Sequence, residues 1–238
     1  VPRGAAAGAL AAVCLALGGA LNAPARGDAA VRPEQDLAEL SSSHAVMRSP
    51  HGRRLTGRSP LPAWRPITGS PTVVPVVGHR TTADGSRWLQ VLLPGRPNGG
   101  KGWIRRRGTR ALSTEWHLVV STGDRRVRAY RRGRLMRSLA AIVGKPSTPT
   151  PRGRFFVEES VRMPADRPGA PFALALSARS NVLQEFEGGP GQIAIHGVGN
   201  LGGVPGTAVS HGCVRLADPG IRWLAGHIAA GVPVTIES

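Results

Sequence analysis

Residues 193–216 read IAIHGVGNLGGVPGTAVSHGCVRL, and they gather His196, His211, Cys213, Ser210 and Arg215 around a glycine-rich run. A thiol is a strong nucleophile only as thiolate, which at an ordinary pKa of ~8.5 is a few per cent of the total at neutral pH. Lowering that pKa by ~2 units asks for about 2.7 kcal/mol of preference for the charged form. A histidine that takes the proton is the usual source, so Cys213 with His196 or His211 is a candidate for nucleophilic catalysis. His211 stands two residues from Cys213, and in an extended segment the two side chains share one side. His196 reaches the thiol only if its strand pairs beside the cysteine segment. Gly212 lets the backbone approach a substrate, and consecutive N–H groups near it are candidates for an oxyanion hole.

Plainer roles exist for each residue alone. A single buried cysteine behaves as a small hydrophobe, and a single histidine is commonly structural. Two histidines and a cysteine are also zinc or copper ligands. His211 and Cys213 lack a usual zinc spacing and no second cysteine pair exists, so no metal and no cofactor is assigned. The conjunction favours an enzyme. To position it, the apolar run 193–195 reads as a buried strand delivering His196. The glycines at 197, 199, 202, 203 and 206 read as a loop, and residues 214–216 as a further strand. Chemistry carried on loops between buried strands is a common arrangement.

Ile195-His196-Gly197 followed by Ser210-His211-Gly212-Cys213-Val214-Arg215-Leu216 resembles the signature of the L,D-transpeptidase family, the YkuD-type catalytic domain. Gly144-Lys145-Pro146 and the TPTPRGRF segment at 148–155 are similar to that family as well, so the resemblance spans about residues 116–236. Val198 departs from it, standing where many members have threonine, which touches only a local hydrogen bond. The resemblance implies a mostly β fold: a YkuD-type β-sandwich or barrel-like catalytic domain with a late helix, preceded by a small β module. It implies a donor peptidoglycan stem peptide cut after its third residue with release of D-Ala. Cys213 would form a thioester, and an acceptor stem amine would resolve it to a 3→3 cross-link. On this reading His196 moves the proton, its ring held by a backbone carbonyl or another nearby acceptor, and the Gly212 and Cys213 N–H groups form the oxyanion hole. Ser210, His211 and Gly197 support the loop and the thiolate. Arg215 binds a substrate carboxylate or braces the loop. Carbapenem-type β-lactams would acylate the same thiol. Two rivals stay open: a wall-peptide thiol hydrolase with water as acceptor, and a non-catalytic wall-binding protein.

The rest of the chain supplies context. Residues 5–21 form an apolar run followed by Ala23-Pro24-Ala25, read as an export signal over 1–25; an uncleaved membrane anchor is the alternative. Cys14 fits a lipid-attachment site poorly. With the signal removed Cys213 would be the sole cysteine, in a chain expected in the wall or periplasmic space. Residues 26–62 are polar and read as a flexible linker, in which His44 and His51 receive no role. Residues 63–112 carry short strands and turns, with Val73-Val74-Pro75-Val76-Val77 suited to an edge or bulge. WLQVLLPGRPNGGKGWI there resembles bacterial Src-homology-3-like modules, implying wall binding, domain packing or a β extension without ligand. Residues 113–238 make the catalytic domain. A hairpin turns at Thr122-Gly123-Asp124, and 177–191 is a poorly patterned stretch that suits a lid. Asp218 is placed as N-cap of the helix, with Pro219 at N1. His227 on that helix is read as structural.

The formal charge is +17, and 29 of the 31 cationic side chains are arginines. That favours polyanions. The basic residues are scattered and no nucleic-acid motif is present, so anionic wall polymers are the expected partners and nucleic acid is not.

Overall fold

The computed structural model describes residues 31–186 and 188–238, together with Val1. The export signal and Cys14 lie outside the described residues. Among the described residues no helix is long and apolar enough to cross a membrane.

In chain order the elements are β1 (Gln35–Leu40), β2 (Val73–Thr81), β3 (Arg87–Leu92), β4 (Lys101–Arg105), β5 (Thr109–Thr114), β6 (Trp116–Ser121), β7 (Arg126–Arg131), β8 (Arg134–Gly144) and β9 (Gly153–Arg162). They continue with β10 (Phe172–Arg179), β11 (Gln192–Gly197), β12 (Ala208–Ser210), β13 (Val214–Leu216), α1 (Asp218–His227) and β14 (Pro233–Glu237). Among the described residues the chain is mostly β with one late helix, as its strand-length apolar runs imply.

Nine strands form one sheet in the order β12-β8-β13-β11-β10-β9-β14-β6-β7, and β7 pairs back onto β8. That return pairing closes a barrel and covers both edges that the β6–β7 hairpin and β8 would otherwise expose. Alternation fills its interior: Leu118, Val120, Val127, Leu174, Leu176, Ile195, Val214 and Leu216 are all buried in one cluster. Helix α1 adds Ile221 and Leu224 to it. The helix begins one residue earlier than its sequence suggests. Ala217 occupies the N-cap without a side-chain bond, and Asp218 sits inside the first turn. There its charge still meets the positive end of the helix dipole.

The second sheet, β4-β3-β2-β1-β5, is open. Pro75 lies in β2, an interior strand rather than an edge, and the ladder to β3 shifts register between Val76 and Gly78. The flexible linker expected at 26–62 is corrected here: from Gln35 onward that stretch is folded. β1 pairs with both β2 and β5. Val46 and Leu61 enter the second core, Met47 exchanges two 2.8 Å backbone bonds with Trp103, and the buried His44 ring bonds the Gly108 carbonyl. The segment is poor in apolar residues, but those it has sit where two neighbouring strands supply backbone partners.

The two sheets meet at β9. Adjacent strand residues face opposite sides, so Phe155 is buried in the barrel core and Phe156 in the module core. A buried ionic cluster lies in the same seam. Arg65 pairs with Glu158, and Arg179 Nη1 donates to Glu158 Oε1 at 3.0 Å. Nearby, the Thr68 N–H and hydroxyl both donate to Glu159.

One buried titratable group makes the fold acid-sensitive. His117 of β6 places Nε2 2.9 Å from Thr235 Oγ1 of β14. Burial first, then the charges of Arg154 and Arg32, pull its pKa from 6.5 to about 4. Between those values the unfolded chain binds the proton and the folded chain does not. Stability contributed by the neutral ring is therefore present above the ordinary histidine value and lost as pH falls towards 4, by roughly 3 kcal/mol in all. Thermal unfolding of His117→Gln at pH 7 and pH 4.5 should show a shallower pH slope than wild type. An unchanged slope would mean that this ring does not report the acid transition.

Candidate active site

β11 and β13 run parallel, with Ile195 opposite Val214 and His196 opposite Arg215. Their apolar residues alternate into the barrel, so His196, Cys213 and Arg215 share the other face. All three line one cavity of about 500 Å³. Gln192, at the start of β11, lines it too, and Cys213 Sγ lies 3.9 Å from the Gln192 carbonyl.

The His196 ring is fixed. Its Nδ1–H donates to the Gly197 carbonyl at 2.7 Å, which leaves Nε2 as the nitrogen able to accept a proton. Gly169 packs flat on it: a Cβ at that position would come within 2.8 Å of His196 Nδ1. Gly197 is required for a related reason, since a side chain there would run into the Ala170 carbonyl, and its N–H donates to Gly169 O at 2.9 Å. Burial holds the His196 pKa below the ordinary value. The Gly197 hydrogen bond opposes that shift, and the Arg215 charge adds to it.

The cysteine loop is tied from both sides. Ser210 is fully buried. Its hydroxyl donates to the Cys213 carbonyl at 2.6 Å and accepts the Gly212 N–H at 3.1 Å. From the 145–151 loop, Thr148 Oγ1 donates to Ser210 O at 3.2 Å and Thr150 Oγ1 to Gly212 O at 2.8 Å. The Gly144 N–H in turn donates to Thr150 Oγ1. The TPT segment thereby holds the cysteine loop in place, since its two threonine hydroxyls bind the carbonyls that flank His211.

One expectation about geometry is corrected. Gly212 has φ +121°, so residues 211–213 are not extended, and His211 and Cys213 are not bound to share a side. His211 is exposed on the cavity wall, its ring stacked on Phe186 with centroids 5.8 Å apart. The Gly212 N–H is engaged by Ser210, so an oxyanion hole that uses it requires that bond to be given up. Arg215 shows the bracing contact: Nη1 donates to Gly202 O of the glycine-rich loop at 2.8 Å, while its buried Nε has no partner.

Sequence reasoning missed Gln192, Phe186 and Glu158. Gln192 Nε2 donates to Glu158 Oε1 and to Leu176 O, so a buried carboxylate sets the residue whose carbonyl faces the thiol. A polar residue opening an otherwise apolar strand was the available signal. Among the described residues no group of three or more His, Cys, Asp or Glu side chains is arranged to hold a metal.

The model of the YkuD family, described as the L,D-transpeptidase catalytic domain, matches residues 115–236. A protein of Bacillus licheniformis named as a candidate L,D-transpeptidase, YkuD, is 34% identical over 124 residues, 51% of this chain and 65% of its own length. Its counterpart in Bacillus subtilis is 32% identical over 125 residues, 51% of this chain and 66% of that one. The chain thus matches just under two thirds of the length of each relative. The crystal structure of L,D-transpeptidase 3 from Mycobacterium tuberculosis with a faropenem-derived adduct is 16% identical and covers 70% of this chain and 91% of its own. Its TM-score is 0.44, too loose a likeness to bear on function. With a family model spanning half its length, and with the histidine and cysteine strands of that model side by side in the fold, the chain belongs to the YkuD family of L,D-transpeptidase catalytic domains.

Proposed function

We propose that the chain is a peptidoglycan L,D-transpeptidase in which Cys213 is the nucleophile and His196 the proton carrier. The observation that carries this reading is the His196 Nδ1–Gly197 carbonyl bond, which leaves Nε2 basic on the face that Cys213 shares. The Cys213 proton passes to His196 Nε2, and the thiolate attacks the carbonyl of the third residue of a tetrapeptide stem. The tetrahedral intermediate collapses as His196 returns the proton to the departing D-Ala amine, leaving a thioester. An amine of a second stem then attacks the thioester and gives a proton to His196; the C–S bond breaks, the Cys213 thiolate leaves and recovers that proton from His196, and the 3→3 cross-linked product is released.

His196 suits this role because a base must be neutral to accept, and burial favours its neutral form. His211 and Phe186 wall the cavity, Ser210 and Gly197 hold the two loops, and Arg215 braces the glycine-rich loop beside the reacting groups. No cofactor enters the scheme. The chain is read as exported, meeting wall polymers through its arginines, with residues 113–238 as the catalytic domain.

Purified chain incubated with a disaccharide-tetrapeptide should yield a cross-linked dimer and free D-Ala in equal amounts by mass spectrometry. Release of D-Ala with only tripeptide and no dimer, at saturating acceptor, would assign a hydrolase instead.

A further inference from the structure

One wall of the cysteine cavity is built by the 180–191 loop, which contributes Leu183 and Phe186. Among its described residues the loop is tied at its base by the Ser180 N–H to the Gly191 carbonyl, by the Ser180 hydroxyl accepting from the Val182 and Leu183 N–H groups, and by a bridge between Phe186 and Gly189. A further set of bonds comes from the other sheet. Arg96, in the loop between β3 and β4, donates from Nη2 to Ser180 O at 2.7 Å and Leu183 O at 2.9 Å, and from Nη1 to Pro190 O at 3.0 Å. One guanidinium thus gathers three carbonyls from both ends of the loop. Such a grip suits a planar fork of donors and exceeds a point-like ammonium.

Asn98 adds to the grip, exchanging bonds of 2.7 and 2.9 Å with the Arg179 backbone. Arg58 fixes the clamp itself, donating to the carbonyls of Gly95, Arg96 and Pro97. The fit leaves no slack: a Cβ on Gly191 would collide with the Leu183 carbonyl and come within 3.1 Å of Arg96 Nη2. The consequence reaches the chemistry, because Phe186 of the held loop stacks on His211, two residues from Cys213.

We propose that Arg96 is a positioning residue: through it the N-terminal module sets the shape of the donor cavity, so the module is a working part of the site. The role rests on the reading of that cavity as the place where the stem peptide binds. Loosening this wall changes the fit of the bound donor while Cys213 and His196, held by other bonds, keep their places.

The test uses the full chain as wild type, Arg96→Ala and Arg96→Lys, with two readouts. Amide hydrogen exchange should rise at least about tenfold across 180–191 in both variants, with the barrel strands unchanged. The donor KM should rise about tenfold, while kcat and the rate at which iodoacetamide alkylates Cys213 stay within about twofold of wild type. Lysine should restore little, since an ammonium cannot span three carbonyls. Loop exchange within twofold of wild type in both variants would overturn the clamp, as would exchange raised equally throughout the chain. A loosened loop with unaltered donor KM would overturn its role in shaping the cavity. Should wild type show no transfer at all, the functional reading fails while the exchange result still decides the clamp. Asn98→Ala, which leaves Arg96 in place, should loosen the 179–181 end alone, and serves if Arg96→Ala does not fold.

Discussion

Replacing Cys213 by alanine should lower kcat/KM for acyl transfer by at least about 10⁴-fold, and His196→Gln by about 10²–10⁴-fold. The two differ because the thiol forms the bond, whereas the imidazole moves a proton that water can move slowly. The pair should also be strongly non-additive: without the nucleophile, the proton carrier has nothing to serve, so the double variant should be no worse than Cys213→Ala.

A pH profile separates chemistry from folding. The base must be neutral, and burial keeps His196 neutral below the ordinary histidine pKa of 6.5. The acid limb of kcat/KM in wild type should therefore fall below pH 6.5, and it should vanish from the residual activity of His196→Gln. An acid limb at or above 6.5 would mean that the ring is more hydrated during catalysis than its surroundings imply. Circular dichroism on each variant, against the same pH series, guards against confusing this limb with the acid response of His117.

Glu158→Gln should be among the most destabilising conservative substitutions in the chain. The carboxylate is 1% exposed and faces two cations, Arg65 at 7% and Arg179 at 12%. Burial already pulls the Arg179 pKa down to about 10. Glutamine preserves shape but removes the charge that compensates both guanidinium groups, and breaking a buried pair in this way costs about 3–5 kcal/mol. Glu159 still faces Arg65, which cushions one side and favours the lower end of that range. For a chain of this size the loss corresponds to a fall in Tm of about 6–20 °C. Because Glu158 also holds Gln192, whose carbonyl faces Cys213, the rate of acylation should fall beyond what partial unfolding explains. A Tm within about 2 °C of wild type would show that the cluster is hydrated and contributes little.

The legible parts of this chain were those in which local pattern and tertiary demand agree. The mostly β class follows from short apolar runs of strand length, and the late helix from Ile221, Leu224 and Ile228 recurring at helical spacing. The pairing of the His196 strand beside the cysteine strand was an open condition in the sequence, and β11 and β13 meet it. What stayed hidden depends on partners distant along the chain. Residues 35–62 look like a linker because their few apolar groups are spread out, yet Val46 and Leu61 find a core that β2, β3 and β4 supply. Arg96 is one arginine among 29, and nothing local tells that its fork meets three carbonyls more than 80 residues away. The assumption of an extended run through Gly212 fails, because a φ of +121° turns the chain there, yet His211 still lines the cavity with Cys213. Glycine's freedom at that position makes such an assumption unsafe.

Whether Cys213 is an acylable nucleophile is decided by intact-mass analysis of the purified chain with a carbapenem, wild type beside Cys213→Ala. A single stoichiometric adduct on wild type and none on the variant is the predicted result. A wild-type chain that stays unmodified, while a thiol reagent shows Cys213 reduced and accessible, would contradict it.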